Sequence, residues 1–131
     1  ENIMLGTDGM HSDMLQSLKA AFFSGQGHDT ISYDPAYRRL RNVHRYLGEN
    51  GFAGDGENNL VVLDYDPPTP VTKENFIGHL LFGISSAHIT DVISGGKVIV
   101  RNRKLTTVDG QEIMKESRKQ AERLWEMISR H

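Results

Sequence analysis

Residues 48–59 read GENGFAGDGENN, a stretch that contains four glycines and three asparagines. Such a composition favours turns and offers no apolar face to bury. Before this stretch, apolar residues recur with helical spacing, whereas after it they come in short runs typical of strands. We therefore expect a loop or a gap at residues 51–59, with residues 1–50 before it and a strand-rich portion, residues 60–108, after it.

The first fifty residues carry one strand signal and two helix signals. The apolar run at residues 3–5 is followed by Gly6-Thr7-Asp8-Gly9, which predicts a buried strand that opens into a functional loop. Ser12 or Asp13 can cap a first helix, and Asp34-Pro35 predicts the start of a second.

The second half of the chain begins with strands and ends in a helix. Residues 60–65 (LVVLDY) predict a strand that the following prolines stop, and Thr72 can cap a short helix. Gly95-Gly96, between two β-branched runs, predicts a hairpin with a tight turn. Asp109 and Glu112 have the spacing of a capping box, so residues 109–131 predict a C-terminal amphipathic helix.

Composition excludes several classes of function. The chain has 131 residues and a net charge of −2, so it lacks the basic surplus that nucleic-acid binding needs. No apolar run approaches the ~18 residues of a membrane span. The absence of cysteine excludes disulfides and thiolate metal sites and is compatible with a reducing, cytoplasmic location.

Six histidines suggest a metal site, but their spacing does not support one within this chain. They lie at positions 11, 28, 44, 79, 88 and 131. No two are separated by the two residues of a strand or the four residues of a helix that bring imidazoles to one ion. We interpret His79 as structural and His11 as either a loop residue or a residue at the mouth of a site.

Asp8 is the strongest candidate for chemistry. A carboxylate between Gly6 and Gly9 at the end of a strand can ligate a divalent ion and accept a proton from water. The simpler interpretation is a turn aspartate that binds its own backbone. The residues alone leave both open.

Three segments resemble the amidohydrolase superfamily, in the order in which that family carries them. They are Leu5–Asp13 (LGTDGMHSD), Asn59–Asp64 (NLVVLD) and Asp91–Lys104 (DVISGGKVIVRNRK). The first resembles the segment after the last barrel strand, and the others resemble strands of the small domain. His79–Gly83 (HLLFG) resembles a branch of aminohydrolases often described as chlorohydrolases.

The resemblance implies an α/β parent, a (β/α)8 barrel with a small β-sandwich built from both chain ends. This chain would supply the last barrel strand, its trailing helices, sandwich strands and the C-terminal helix. The implied cofactor is one divalent metal, zinc or iron, which activates water against a C–N or C–Cl bond of a small nitrogen-rich substrate. Asp8 matches the family's metal ligand and proton acceptor, and the other ligands, all histidines, are expected upstream.

Length fits this interpretation, because about 200 residues are needed for a complete barrel. The start at Glu1 rather than methionine agrees with an expectation that chain is missing upstream. The family also has more chain near residues 51–59, so we expect either a shortened member or missing residues there. The chain alone should be inactive and should self-associate through its exposed apolar surface. The rival hypothesis is a non-catalytic α+β module for association.

Overall fold

The computed structural model describes residues 2–27, 32–52 and 58–130. Within these ranges the chain forms four α-helices and one four-stranded antiparallel sheet, in a mixed α and β arrangement as predicted. Residues 53–57 of the predicted loop, together with His28 and His131, lie outside the described residues. The division into the four units expected from the sequence stays a prediction.

Two helices precede the sheet. Helix α1 spans Met14–Gly25, and its N-cap Asp13 accepts hydrogen bonds from the backbone N–H groups of Leu15 and Gln16. This confirms one of the two predicted caps, since a carboxylate oxygen satisfies N–H groups that the first turn leaves free. Helix α2 spans Tyr33–Glu49.

The start of α2 differs from the prediction. Ser32 is the N-cap, and Asp34 lies inside the first turn, where its charge favours the positive end of the helix. Pro35 is tolerated there because the first turn has no intrahelical partner for its missing N–H. The prediction of Asp34 as the cap was therefore wrong by two residues.

The sheet has the order β1-β2-β3-β4. Strand β1 spans Leu60–Leu63, β2 Ile89–Ser94, β3 Lys97–Arg101 and β4 Lys104–Leu105. The predicted hairpin is confirmed: Ser94 pairs with Lys97, and Gly95 and Gly96 between them have φ angles of +55° and +76°. Glycine adopts these left-handed angles without steric cost. Strand β1 ends two residues earlier than predicted.

Helix α3 spans Phe76–Phe82, between β1 and β2, and a single 3₁₀ turn follows at Ser86–His88. Asn75, and not the predicted Thr72, is the residue before the helix. The Asn75 side chain instead accepts a hydrogen bond from the Thr72 backbone N–H at 2.7 Å. Thr72 thus belongs to the turn that leads into α3.

The core is formed by helices α1, α2 and α3 and by the second residue after α3. Its fully or nearly buried side chains are Leu18, Phe22, Ala36, Leu80, Leu81 and Ile84. Helix α4, Gly110–Ile128, has none of its residues buried, although Asp109 caps it as predicted through the Gln111 and Glu112 N–H groups. No helix in the described ranges is long and apolar enough to cross a bilayer.

The predicted strand at residues 3–5 does not form. The described residues include no strand beside it, and a lone strand cannot satisfy its backbone groups. Residues 2–5 instead run antiparallel along α2. The Leu5 N–H donates to the Arg39 carbonyl at 3.4 Å, and the Asn42 side chain donates to the Ile3 carbonyl at 2.7 Å.

Candidate active site around Asp8

Asp8 lies in a tight exposed turn. Its backbone has a φ angle of +50°, a left-handed conformation that aspartate and asparagine tolerate better than most residues. One carboxylate oxygen accepts a hydrogen bond from the Gly9 N–H at 2.8 Å, and the Met10 N–H donates to the Thr7 carbonyl at 3.3 Å. The simpler interpretation of Asp8, a turn aspartate bound to its own backbone, therefore describes its local geometry.

The segment that carries Asp8 is anchored at two residues that precede the turn. Before it, the Ser17 hydroxyl of α1 donates to the Gly6 carbonyl at 3.1 Å. At the start of the segment, the Arg45 guanidinium of α2 donates to the Asn2 side chain at 2.7 Å. These contacts hold the turn against α1 and α2, so the carboxylate of Asp8 is presented from a fixed backbone.

After the turn, Asp13 joins the two halves of the chain. Besides capping α1, its carboxylate accepts a hydrogen bond from the Ser86 side chain in the turn before β2. That bond, more than any other contact, lowers the pKa of Asp13 below its usual value, and the capping N–H groups of Gln16 and Leu15 act in the same direction. Asp13 therefore stays charged to a lower pH than an ordinary aspartate does.

His11 lies close to Asp13 but not in a metal cluster. Its Nδ1 accepts a hydrogen bond from the Asp13 backbone N–H at 3.1 Å. Across the described ranges, 2–27, 32–52 and 58–130, no three side chains of His, Cys, Asp or Glu are grouped so that they could hold a metal ion. Asp8 offers an exposed carboxylate oxygen suited to one position of such a site, and these residues do not supply the rest of the coordination shell.

A second polar cluster lies away from Asp8 and serves the fold. His79 in α3 has its Nδ1 at 2.9 Å from the Tyr65 hydroxyl and its Nε2 at 3.3 Å from the Thr69 hydroxyl. Because both ring nitrogens lie within hydrogen-bond distance of these hydroxyls, His79 links α3 to the proline-rich segment after β1, residues 65–72. This geometry agrees with the structural interpretation of His79.

Sequence patterns did not identify Ser17 or Ser86 as partners of this region. Ser86 lies 73 positions beyond Asp13, and no local motif marks either serine. Only the Asp8-Gly9 turn and the helix cap at Asp13 could be predicted from the sequence, because both depend on hydrogen bonds within a few residues.

Comparison with known proteins supports the class that the motifs indicated. The chain is 30% identical over 142 residues to the 5'-deoxyadenosine deaminase of Methanopyrus kandleri, covering 94% of this chain and 31% of the relative. It is 30% identical over 129 residues to the 5-methylthioadenosine/S-adenosylhomocysteine deaminase of Dictyoglomus thermophilum, covering 89% of this chain and 30% of the relative. The deaminase of the same description from Aquifex aeolicus is 29% identical, over 97% of this chain and 32% of its own length.

These relatives are amidohydrolase-superfamily deaminases, and the match lies in their C-terminal part. The predicted resemblance to the C-terminal portion of such an enzyme is therefore confirmed. The chain spans about a third of the length of the curated relatives it matches. No family model matches the chain, and no solved structure matches it significantly.

Proposed function

We propose that this chain forms the C-terminal part of a metal-dependent hydrolase that deaminates a small adenosine-like molecule. Two observations together support the proposal. Asp8 lies in an anchored turn, and nearly the whole chain is similar to deaminases. Deaminases hydrolyse C–N bonds, so their similarity favours this reaction over cleavage of a C–Cl bond. We place the enzyme in the cytoplasm.

Within this proposal Asp8 acts as a metal ligand and as the proton acceptor. A bound zinc or iron ion would make water nucleophilic at neutral pH. The Asp8 carboxylate would hold the ion with one oxygen and take the proton that the water loses on attack. Because the relatives are about three times longer, we assign the histidine ligands to sequence outside these 131 residues and expect the chain alone to be inactive.

Two substitutions of Asp8 distinguish the role of its charge in the reaction from its role in stabilising the turn. Asp8→Asn keeps an oxygen for the Gly9 N–H and tolerates the left-handed backbone, but it removes the charge. In the full-length protein we expect Asp8→Asn to lose bound metal and to release ammonia from 5'-deoxyadenosine roughly 10²–10⁴-fold more slowly. Asp8→Ala should lose the turn as well, so it should also destabilise the protein.

The control is Asp34→Asn, which removes another exposed carboxylate in the first turn of α2. It should leave the metal content and the rate of ammonia release unchanged. Unchanged metal content and activity in Asp8→Asn would refute the role of Asp8. A full-length protein that neither binds metal nor releases ammonia would favour the non-catalytic association module instead.

Self-association of the chain belongs to the same proposal. Large apolar side chains are exposed on β1 and along α4, among them Val61 and Trp125. Soluble proteins cover contiguous apolar surface, and a second copy is available to do so at high concentration. Sedimentation over a concentration series should show an oligomer, and monomeric behaviour throughout the series would contradict this expectation.

A further inference from the structure

A cleft of about 740 Å³ opens beside the segment that follows Asp8. One wall comes from the start of α1 and from α2, with Leu15, Leu40 and Val43, and the other from β1 and β2, with Val61, Leu63 and Ile89. Its volume lies within the roughly 300–1,000 Å³ of small-molecule sites, which are largely apolar with a few placed polar groups.

Polar groups also line this cleft. They are His11, Asp13, Arg41 and Ser86, together with Ser12 and His44. The carboxylate of Asp13 and the guanidinium of Arg41 have opposite charges, so the lining has no strong net charge to attract an ion. The lining therefore fits a neutral molecule with an apolar body.

The hydrogen bond to Asp13 determines which nitrogen of His11 carries a proton. Because Nδ1 accepts the Asp13 N–H at 3.1 Å, Nδ1 has no hydrogen, and in the neutral ring the proton must lie on Nε2. The described hydrogen bonds of His11 use Nδ1. The hydrogen bond from Asp13 therefore makes neutral His11, a residue of the cleft lining, a hydrogen-bond donor at Nε2.

The Asp13 cap of α1 also holds the two walls together. The Asp13 carboxylate binds the first turn of α1 at 3.0 and 3.1 Å and also accepts from Ser86, which precedes β2. A second tie lies nearby, where the Lys19 ammonium donates to the Ile84 carbonyl. His11 is thus attached to the point where the helical wall and the sheet wall meet, and this attachment fixes its position relative to both.

We propose that this cleft binds a neutral heteroaromatic molecule and that His11 Nε2–H selects it through a hydrogen bond to an acceptor nitrogen of the ring. This inference rests on the proposed function, which makes a purine nucleoside the ligand class. In this proposal His11 is a specificity-determining residue, distinct from Asp8, because it would donate to the ring and take no part in the proton transfer from the reacting water to Asp8.

Two amide substitutions that differ in reach test the donor. Asn at position 11 can accept the Asp13 N–H but has no group at the Nε2 position, whereas Gln places an amide N–H near that position. In the full-length protein, His11→Asn should weaken the binding of adenosine about two- to tenfold, the value of one neutral hydrogen bond. His11→Gln should bind adenosine within about twofold of the unchanged protein.

Deaza analogues identify the acceptor. Calorimetry with 1-deaza-, 3-deaza- and 7-deazaadenosine should find one analogue whose affinity His11→Asn does not change, because that analogue lacks the bonded nitrogen. The control Lys115→Ala, on the exposed helix α4, should bind all four compounds as the unchanged protein does. Equal losses for Asn and Gln, equal losses for all three analogues, or no measurable adenosine binding would overturn the inference.

Measuring metal content and ammonia release in Asp8→Asn alongside these variants separates the two proposals. If Asp8→Asn loses metal and activity while His11→Asn binds adenosine normally, only the His11 inference fails. If His11→Asn shows the predicted loss while Asp8→Asn keeps its metal and its rate, only the proposed chemistry of Asp8 fails.

Discussion

Helices α1 and α4 are both amphipathic, yet their apolar faces have opposite environments. In α1, Leu18 is fully buried against residues of α2 and α3, and Phe22 is almost fully buried. In α4, Trp125 is 65% exposed, and no residue of the helix is buried. An amphipathic sequence therefore predicts which face of a helix avoids water but not which surface covers it.

The same contrast separates the helical core from the sheet. Leu81 of α3 is 1% exposed, whereas Val61 of β1 is 55% exposed although it pairs with Val92 in the antiparallel ladder. Leu63 packs against the core, but the other three side chains of β1 are exposed, so the strand contributes little burial. We infer that the stability of the described chain resides mainly in α1, α2 and α3.

The largest expected effect tests this contrast directly. Leu81→Ala should destabilise the protein by about 2–5 kcal/mol, because it removes a buried side chain and leaves a cavity. Trp125→Ala removes a larger side chain but should change the free energy of unfolding by less than about 0.5 kcal/mol in dilute solution. Urea unfolding of both variants at low protein concentration gives the comparison.

Repeating the unfolding experiment at several protein concentrations tests whether a second copy covers α4. If a second copy covers α4, the effect of Trp125→Ala should grow as the concentration rises, while the effect of Leu81→Ala should persist at every concentration. A loss of several kcal/mol for Trp125→Ala in dilute solution would show that α4 is packed within one chain. The contrast between α1 and α4 would then be wrong.

The parts of the fold that the sequence predicted correctly depend on contacts within a few residues. Asp13 and Asp109 cap helices through N–H groups two and three positions away, and Gly95-Gly96 adopts the positive φ angles of its turn. Residues 3–5 failed as a strand because strand formation requires a distant partner, which the described chain does not provide.

In the candidate site, too, local features could be predicted from the sequence and contacts between distant residues could not. Asp8 could be singled out because Asp-Gly marks a turn and because its segment resembles a known family. The anchoring of that turn by Ser17 joins residues 11 positions apart, and the link from Asp13 to Ser86 joins residues much farther apart in the chain. No sequence pattern encodes such contacts, since neither serine has a distinctive neighbourhood.

A pair of glycines in and beside α3 gives the next largest effect. A Cβ on Gly83 would overlap the Tyr65 hydroxyl, whereas a Cβ on Gly78 would meet no atom within 4 Å. Gly83→Ala should therefore cost about 1–3 kcal/mol through overpacking and should disturb the Tyr65–His79 contact. Gly78→Ala, inside the helix, should stabilise the protein by about 0.5–1 kcal/mol.

Thermal unfolding of the two glycine variants checks this prediction. Opposite signs support a close approach of Tyr65 to α3, since both substitutions add one methyl group and only the one at Gly83 meets Tyr65. If Gly83→Ala were as stable as Gly78→Ala, Tyr65 would not lie against α3, and the helical core would not extend to this segment.

The smallest effect concerns the link between the helical core and the sheet, at Asp13. Because the folded-state pKa of Asp13 is lowered, its charge stabilises the protein fully above the ordinary value of 3.8, and this stabilisation is lost as the pH falls through the lower folded-state pKa. Asp13→Ala should lower the free energy of unfolding by about 1 kcal/mol at pH 6, as loss of a helix cap does, and by less below pH 3.8.

Ser86→Ala keeps the cap but removes the largest cause of the pKa shift of Asp13. The free energy of unfolding of this variant should therefore depend less on pH between about pH 2 and 5. Urea unfolding across this range measures both, and an unchanged pH profile in Ser86→Ala would show that Asp13 does not join the two halves.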